Sequence, residues 1–238
     1  MEIELTPHPE WVREFVDSVA PDRARVVQSP FFDDMAKGTL SMSIFRCGLV
    51  GFYPLVESFP SYLKLVLKKV PKDKDKRSNL ARSWLAANIE IERRHAAWYR
   101  QWARDFGVPS DTFSRTVVPP AEMDAVNNYL WRIGTQGTLS ECFAAINYGI
   151  EGPSGDWTQL VAPNIQAYEG RPGVKFRKGT LLWIKAHAAY DARHTPESLE
   201  LIKLFATTKQ EQDKVKIAAK RSMEYYAMAA EACYRLCA

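Results

Sequence analysis

Three residues of one predicted helix have the types and the spacing of metal ligands. His187, Asp191 and His194 form the pattern H-x3-D-x2-H within the segment LLWIKAHAAYDARHTPESLE. Positions i, i+4 and i+7 lie on one face of an α-helix. Two imidazoles and a carboxylate on one face make a half-site for a first-row transition metal. The alternative is a half-polar helix face with hydrogen-bonded histidines, and the pattern alone does not decide between the two.

A second predicted helix carries a carboxylate and a histidine one turn apart. Glu92 and His95 face the same way, as in the Glu-x-x-His pairs of di-iron helical bundles, and Asn88 precedes Glu92 by one turn. The alternative is an exposed polar pair. Because Trp84 and Trp98 lie close by on this helix, we expect the carboxylate to be buried and to need a partner.

A third carboxylate, Glu151, follows the apolar run CFAAINYGI, which favours its burial. Glu141 is the competitor, but its place in the first turn of a helix is explained by the helix dipole. The two glutamates are ten residues apart, roughly 15 Å along a helix, so only one can reach a shared site. Three of the four histidines and three carboxylates then match the ligand count of a dinuclear iron or manganese site in a helical bundle. The predicted ligands are Glu92, His95, Glu151, His187, Asp191 and His194.

Composition indicates a soluble globular protein, with 238 residues, 46% of them apolar and 25% charged. We expect one domain over residues 1–238. The sequence has no apolar run of about 20 residues and no signal-peptide pattern, so we expect a cytoplasmic protein without a membrane partner. The basic segment 68–78 has no interleaved aromatic residues, which favours a solvated loop over nucleic-acid binding.

Helical periodicity over nearly the whole chain predicts an all-α fold, a single bundle of seven to eight helices. A helix of about 30 residues is predicted from near Arg77 to Phe106. Ser41 and Thr138 or Ser140 are suitable N-caps for two further helices.

Prolines are expected to divide several of these helices. Pro54 and Pro60 should kink or break the helix that starts after Ser41. Gly152-Pro153 should end the helix that carries Glu151. The helix with the H-x3-D-x2-H pattern is predicted over about 180–193, with a new helix starting at Pro196.

Five segments, in order along the chain, resemble the haem-oxygenase-like dimetal oxidases and oxygenases. This group lies in the superfamily of thiaminase II (TenA) and the pyrroloquinoline quinone synthesis protein C, and the nearest likeness is to its chlamydial branch of proteins associating with death domains. The segments are SPFFDDMAKGTL, SFPSYL, HAAWYRQWARDFGV, AAINYGIEG and HAAYDARH. The resemblance implies a haem-oxygenase-like, TenA-like bundle, with His95, Glu151, His187, Asp191 and His194 as ligands.

The resemblance leaves two residues as the sixth ligand. Asn88 aligns with a glutamate of the chlamydial branch, whereas Glu92 and His95 match the Glu-x-x-His of a branch of fatty acid decarboxylases. We predict Glu92. Around the metals, Asn88, Tyr99, Tyr148, Trp183 and Tyr190 are candidates to line a substrate pocket.

The function implied by the resemblance is a non-haem oxidoreductase with two Fe(II) ions or an Fe/Mn pair, and with O2 as cosubstrate. The chlamydial relatives make para-aminobenzoate from their own tyrosine and a lysine, but Phe32 and the neighbourhood of Val161 replace these residues here. We therefore expect an external small-molecule substrate, such as an amino acid, a fatty acid or a related metabolite, in a biosynthetic reaction. Desaturation, C–C cleavage, hydroxylation and N-oxygenation stay open.

Four alternatives remain from the sequence, and one of them is para-aminobenzoate synthesis as in the chlamydial relatives. A thiaminase needs a nucleophilic cysteine, for which Cys142 beside Glu141 is a candidate. A metal-free oxidase like the quinone synthesis protein and a non-enzymatic helical interaction protein are the other two. For partners, we expect a homodimer and leave room for an external electron donor.

Overall fold

The structure is a computed structural model that describes residues 3–73, 75–115 and 117–237. Over these residues all regular secondary structure is helical, which confirms the predicted all-α class. Nine α-helices are present in this part of the chain, slightly more than the seven to eight predicted. They are α1 (Glu10–Val27), α2 (Pro30–Lys37), α3 (Met42–Lys69), α4 (Lys76–Asp105), α5 (Ala121–Gln136), α6 (Leu139–Cys142), α7 (Gly152–Val161), α8 (Leu182–Phe205) and α9 (Lys209–Cys237).

A π-helical segment, Phe143–Glu151, joins α6 to α7 without a break, and two 3-10 turns lie at Thr112–Ser114 and Ile165–Tyr168. Helix α8 packs against α7, α4 and the π-segment, while α9 packs against α1, α3, α5 and the same π-segment. The π-segment therefore lies between α8 and α9, and all nine of its residues are buried.

The predicted helix starts agree with the capping contacts. The Ser41 hydroxyl accepts a hydrogen bond from the Ile44 backbone N–H at the start of α3. Thr138 begins α6 with a capping box, in which the Glu141 carboxylate accepts from the Thr138 backbone N–H at 2.7 Å. Helix α4 (Lys76–Asp105) matches the predicted long helix closely.

The breaks predicted at Pro54 and Pro60 and at Pro196 are not observed, whereas the kink given as the alternative at Pro54 and Pro60 stays a prediction. Helix α3 is continuous through Pro54 and Pro60, and α8 is continuous through Pro196. A proline removes one backbone hydrogen bond, but packing on neighbouring helices supplies most of the stability of a helix in a folded protein. Helix α3 packs along α4, α5 and α9, which is enough to keep it in one piece.

Gly152-Pro153 also continues a helix, contrary to the prediction that it ends one. Pro153 lies in the first turn of α7, directly after the π-segment. The hydrogen-bond register changes at this junction, so a residue without an N–H is tolerated there. The helical course from Leu139 to Val161 is thereby unbroken.

Two contacts hold the π-segment against α9. Ser222 of α9 donates a hydrogen bond from its hydroxyl to the Ala145 carbonyl at 2.7 Å. Gly149 faces the same serine so closely that an added Cβ would lie 3.0 Å from Ser222 Cβ. Short π-helical segments within α-helices are frequent at functional sites. This segment ends on Glu151.

Among the described helices, none combines the length and the apolarity that crossing a membrane requires.

Candidate metal centre

Six buried side chains from three elements meet inside the bundle, and they are the six predicted metal ligands. Helix α4 contributes two residues, the end of the π-segment one, and α8 three. All six are at most 8% exposed. They form two clusters, one of Glu92, His95 and His187 and the other of Glu151, Asp191 and His194.

The first cluster has one carboxylate and two histidines. One ligand atom from each of Glu92, His95 and His187 lies within 4.8 Å of the others. His95 Nδ1 is 2.8 Å from Glu92 Oε2, and His187 Nδ1 is 2.9 Å from the Trp183 carbonyl oxygen. These contacts hold a proton on each Nδ1, so each Nε2 keeps a lone pair for an ion.

The second cluster has two carboxylates and one histidine. Glu151, Asp191 and His194 also offer one atom each within 4.8 Å of the others, and His194 Nδ1 is 3.7 Å from Glu151 Oε2. Asp191 and His194 are one turn apart on α8, as the sequence pattern requires. Glu151 reaches them because α7 and the π-segment pack directly on α8.

Four polar atoms of these residues are buried and lack a hydrogen-bond partner in the described part of the chain. They are His95 Nε2, Glu151 Oε2, Asp191 Oδ2 and His194 Nδ1. A buried polar atom without a partner costs stability, so such atoms are rare in folded proteins. All four are lone-pair donors, and two metal ions would satisfy them. The residues present therefore fit a dimetal site.

The electrostatics of the centre also favour cations. Burial raises the pKa of the Glu151 carboxyl well above its usual range, and the negative charge of Glu92 raises it further. Burial likewise raises the pKa of Asp191, with further contributions from Glu151 and Glu92. Closely spaced carboxylates are difficult to ionise at the same time, because their negative charges repel each other. A bound cation offsets that repulsion.

The buried environment favours the uncharged form of the two α8 histidines, His187 and His194. Burial lowers the pKa of His187 well below its usual range, and the nearby His95 lowers it further. Burial lowers the pKa of His194 to about 4. Neutral imidazole is the form that binds metals.

Two asparagines hold Glu151 in place. Asn88 Nδ2 and Asn147 Nδ2 each donate to Glu151 Oε1 at 3.2 Å, which leaves Oε2 for an ion. Of the two candidates for the sixth ligand, Glu92 thus lies in a cluster, and Asn88 lies behind Glu151. Asn147 was not predicted, although it precedes Glu151 by one helical turn.

A buried carboxylate that the sequence did not single out, Glu197, holds Trp84, whose ring packs on His194. Glu197 accepts a hydrogen bond from Trp84 Nε1 at 2.6 Å and lies 3.3 Å from Arg193 Nε. The Trp84 and His194 rings are 5.5 Å apart in an edge-to-face arrangement, and Tyr190 packs on His194 at 5.4 Å. The spacing of Glu197, one turn after His194 on α8, was the available indication.

A cavity with mostly apolar lining residues adjoins the two clusters. Tyr99 and Trp183, two of the predicted pocket residues, line it together with Phe32. Tyr148 instead packs against Phe15 at 5.1 Å. Tyr190 is 39% exposed at the surface beside His194.

Cys142 does not have the properties of a nucleophile. Its thiol is buried and donates to the Ile133 carbonyl at 3.3 Å, and burial raises its pKa to about 12. Its neighbour Glu141 is used in the capping box of α6. A protonated, hydrogen-bonded thiol is a poor nucleophile, which argues against the thiaminase alternative.

Comparison with known families shows which family the chain belongs to. Residues 48–227 match the model of a family described as iron-containing redox enzymes. The chain belongs to this family. The superfamily resemblance inferred from the sequence is confirmed, and an iron-containing family agrees with six buried side chains that could bind metal through nitrogen and oxygen atoms.

Solved structures with the same fold are TenA homologues and related proteins. A TenA homologue from Pseudomonas syringae pv. tomato superimposes with a TM-score of 0.86 at 29% identity, over 99% of this chain and 100% of that one. A TenA homologue from Pyrococcus furiosus gives 0.74 at 16% identity, over 94% and 100%. A Shewanella denitrificans domain of unknown function, with a haem-oxygenase-like fold, gives 0.74 at 16%, over 97% and 94%. The chain thus has a haem-oxygenase-like, TenA-like bundle. No curated protein matches the sequence.

Proposed function

We propose that the protein is a non-haem dimetal oxidoreductase that uses two Fe(II) ions, or an Fe/Mn pair, and O2 to oxidise an external small molecule. The observation that carries this proposal is the pair of adjoining buried clusters, whose four unpartnered lone-pair atoms fit two ions. Membership of a family of iron-containing redox enzymes supports it.

The two clusters would hold different ions in different ways. Glu92, His95 and His187 supply two imidazoles and one carboxylate, the ligand set typical of non-haem iron. Glu151, Asp191 and His194 supply two carboxylates and one imidazole, a set richer in oxygen that also suits manganese. When bound, the metals would supply the electrons and the binding positions for O2 activation.

The protein's own residues orient and protect this chemistry. The Trp183 carbonyl fixes the ring of His187, and Asn88 with Asn147 fixes the Glu151 carboxylate. Burial of all six ligands keeps bulk water away and strengthens every electrostatic interaction at the site. The adjoining cavity provides room for a substrate next to Glu92, Glu151, His187 and Asp191.

A biosynthetic role in the cytoplasm, a homodimeric assembly and an external electron donor stay predictions from the sequence and belong to this proposal.

Metal content and O2 consumption test the proposal together. Protein expressed with added iron should contain close to two ions of iron plus manganese per chain by elemental analysis. The reduced protein, prepared without oxygen, should consume O2 on mixing in a stopped-flow spectrometer. Metal content well below one ion per chain, with no O2 consumption above that of free iron, would exclude a dimetal enzyme.

Cys142→Ala separates this proposal from thiaminase chemistry. We expect metal content and O2 consumption to stay within about twofold of wild type, because the buried thiol touches neither cluster. Loss of O2 consumption with the metals retained would assign chemistry to the thiol instead.

A further inference from the structure

A line of aromatic rings leads from the ligand candidate His187 toward the surface of the bundle. The Trp183 ring lies 3.9 Å from the His187 ring, measured between centroids. The Tyr99 ring follows at 5.2 Å from Trp183, and the Tyr53 ring at 6.2 Å from Tyr99. The last two separations are those of rings in direct contact, roughly 4.5–7 Å. Indole and phenol lose an electron more readily than most side chains, so an electron can move along this line in short steps.

The outer end of the line has a base for the phenolic proton. The Tyr53 hydroxyl donates to Glu57 Oε1 at 3.0 Å, and Arg100 Nη1 donates to the Tyr53 oxygen at 2.7 Å. Glu57 itself is exposed. A carboxylate within about 2.6–3.2 Å of a hydroxyl oxygen can take its proton. A phenol that has lost an electron is strongly acidic, so oxidation of Tyr53 would transfer its proton to Glu57.

The two inner rings have no such base. Trp183 Nε1 is buried without an acceptor in the described part of the chain. The Tyr99 hydroxyl donates to the Leu49 carbonyl oxygen at 2.8 Å. A peptide carbonyl accepts a hydrogen bond but does not take a proton at neutral pH. Both rings can therefore pass an electron along, whereas the oxidised state becomes stable when it reaches Tyr53.

Two further rings contact Trp183 and lead to no base. Trp102 stacks on it at 5.4 Å, and Trp102 Nε1 lacks an acceptor among the residues that the structure describes. Trp157 lies 5.9 Å from Trp183 and donates from Nε1 to the Tyr226 oxygen at 2.9 Å. That oxygen is also hydrogen-bonded to the Ser154 hydroxyl at 3.0 Å. Since none of these partners is a carboxylate, a proton-coupled oxidation is not completed on these branches.

We infer that Trp183, Tyr99 and Tyr53 form a redox relay that protects the metal centre when O2 is activated without a bound substrate. One electron passes from Tyr53 through the two inner rings to the oxidised centre at His187, and the Tyr53 proton passes to Glu57. Tyr53 is left as a neutral phenoxyl radical, and the centre has gained one electron. A thiol or ascorbate in solution then gives one electron to Tyr53, the proton returns from Glu57, and the reductant is oxidised by one electron. This inference rests on the proposed function, because a centre that activates O2 is the oxidant.

Freeze-quench electron paramagnetic resonance tests the relay. Iron-loaded protein is reduced without oxygen and then mixed with O2 in the absence of substrate. We expect a phenoxyl signal in wild type, narrowed by ring-deuterated tyrosine, and loss of the signal in Tyr53→Phe, because a phenyl ring is much harder to oxidise. An undiminished signal in Tyr53→Phe would overturn the inference. So would a wild-type protein that binds iron and consumes O2 without forming the signal.

Tyr234→Phe is the matched control. The Tyr234 hydroxyl also donates to a carboxylate, Asp34 Oδ2, at 2.8 Å. In the described part of the chain, no ring-to-ring contact joins Tyr234 to the relay. Tyr234→Phe should therefore keep the phenoxyl signal. Equal loss of the signal in Tyr234→Phe and Tyr53→Phe would contradict a radical located on Tyr53.

Two variants interrupt the relay while Tyr53 remains. Trp183→Phe keeps the backbone carbonyl that accepts from His187 Nδ1, so metal should still bind, but the phenoxyl signal should be lost. Glu57→Gln keeps a hydrogen-bond acceptor and takes no proton, so the signal should form about 100-fold more slowly. If neither substitution changed the signal, Tyr53 would be oxidised from solution and the relay would be refuted.

Damage at the centre measures the protective role. Protein with ascorbate is exposed repeatedly to O2 without substrate, and its peptides are analysed by mass spectrometry. Tyr53→Phe should accumulate more oxidised His187 and Trp183 and lose more metal than Tyr234→Phe, because the oxidised centre has no relay to reduce it. Equal damage in the two variants would contradict a protective role.

Photoionisation of tryptophan separates the relay from the proposed function. A laser pulse produces indole radicals in the metal-free protein, and the relay should pass this oxidation to Tyr53. The phenoxyl absorption should therefore grow more in wild type than in Tyr53→Phe or Trp183→Phe, and equal growth in all three would refute the relay. If the protein bound no metal and consumed no O2, the proposed function would fail, while this measurement would still decide whether the rings conduct. If metal binds and O2 is consumed, but neither experiment yields a radical on Tyr53, only the relay fails.

Discussion

At the residue scale, the candidate centre consists of two clusters that share no residue, so the two proposed ions should be removable separately. Asp191→Ala should reduce the metal content from two ions to one, because Asp191 belongs only to the cluster with Glu151 and His194. His95→Ala should remove the other ion. Elemental analysis of each variant, combined with titration of the reconstituted protein, measures this. Retention of two ions by Asp191→Ala would mean that α8 presents a different face to the metals.

Residues that hold a ligand without binding the ion should have smaller effects. Asn147→Ala removes one of the two hydrogen bonds to Glu151 Oε1, and loss of such a support typically weakens metal affinity by about 10- to 100-fold. Isothermal titration with Mn²⁺ measures the change.

Asn127→Ala is the matched control for Asn147→Ala. Asn127 is also a buried asparagine, but its side chain accepts from the Tyr62 hydroxyl and donates to the Met123 carbonyl, which are not part of the metal centre. Its loss should lower stability and leave Mn²⁺ affinity as in wild type. If Asn127→Ala lost as much Mn²⁺ affinity as Asn147→Ala, Asn147 would contribute only to the stability of the fold and would not position Glu151.

The six residues that meet in the two clusters could be singled out from the sequence, because helical spacing of acids and histidines is visible there. His187, Asp191 and His194 form such a pattern, and so do Glu92 and His95. Asn147 and Glu197 were missed, because an amide or a carboxylate one turn from a ligand looks like any other polar helix residue. Asn147 and Glu197 differ from other polar helix residues in being buried. Their burial depends on which helices pack together, which the local sequence does not show.

At the element scale, the course of the chain through its prolines and glycines was the least predictable feature. Local rules predict a helix break at Gly152-Pro153, but the π-segment changes the register there, and packing on α8 and α9 keeps the helix continuous. No local pattern predicts a π-segment, since its contacts with Ser222 come from the far end of the chain. Helix N-termini were predictable, because a cap such as Ser41 acts within three residues.

The close approach of α7 to α8 gives a prediction at this scale. A Cβ at Gly155 would lie 2.6 Å from Asp191 Cβ. Gly155→Ala should therefore push α7 away from α8 and separate Glu151 from Asp191. Mn²⁺ affinity should fall by about tenfold or more, an effect of the size expected when the support of a ligand is disturbed.

Gly134→Ala provides the comparison. There the added Cβ would meet Leu65 Cδ1 at 2.9 Å, the flexible end of a side chain between α5 and α3. This substitution changes packing without touching the centre, so it should leave Mn²⁺ affinity intact. If Gly155→Ala and Gly134→Ala both retain full affinity, the contact between α7 and α8 does not set the ligand geometry.

At the scale of the whole molecule, metal binding should be a large part of the stability of the bundle. The ligands come from α4, the π-segment and α8, so two ions would join elements that are distant in sequence. The buried atoms without partners and the closely spaced carboxylates lower the stability of the metal-free protein. Bound cations would coordinate those atoms and offset the repulsion between the carboxylates.

A ligand that binds only the folded state stabilises it by about 2.7 kcal/mol when its concentration is 100 times its Kd. We therefore expect Mn²⁺, or Fe²⁺ without oxygen, to raise the Tm of the metal-free protein by several degrees, as measured by calorimetry. Mg²⁺ and Ca²⁺ should have little effect, because these ions prefer oxygen ligands and three of the six ligands here are histidines. A double variant, His95→Ala with Asp191→Ala, should lose the Mn²⁺ shift. If Mg²⁺ raised the Tm as much as Mn²⁺ did, or if the double variant kept the shift, the ions would be binding elsewhere on the surface, and the buried histidines would need another explanation.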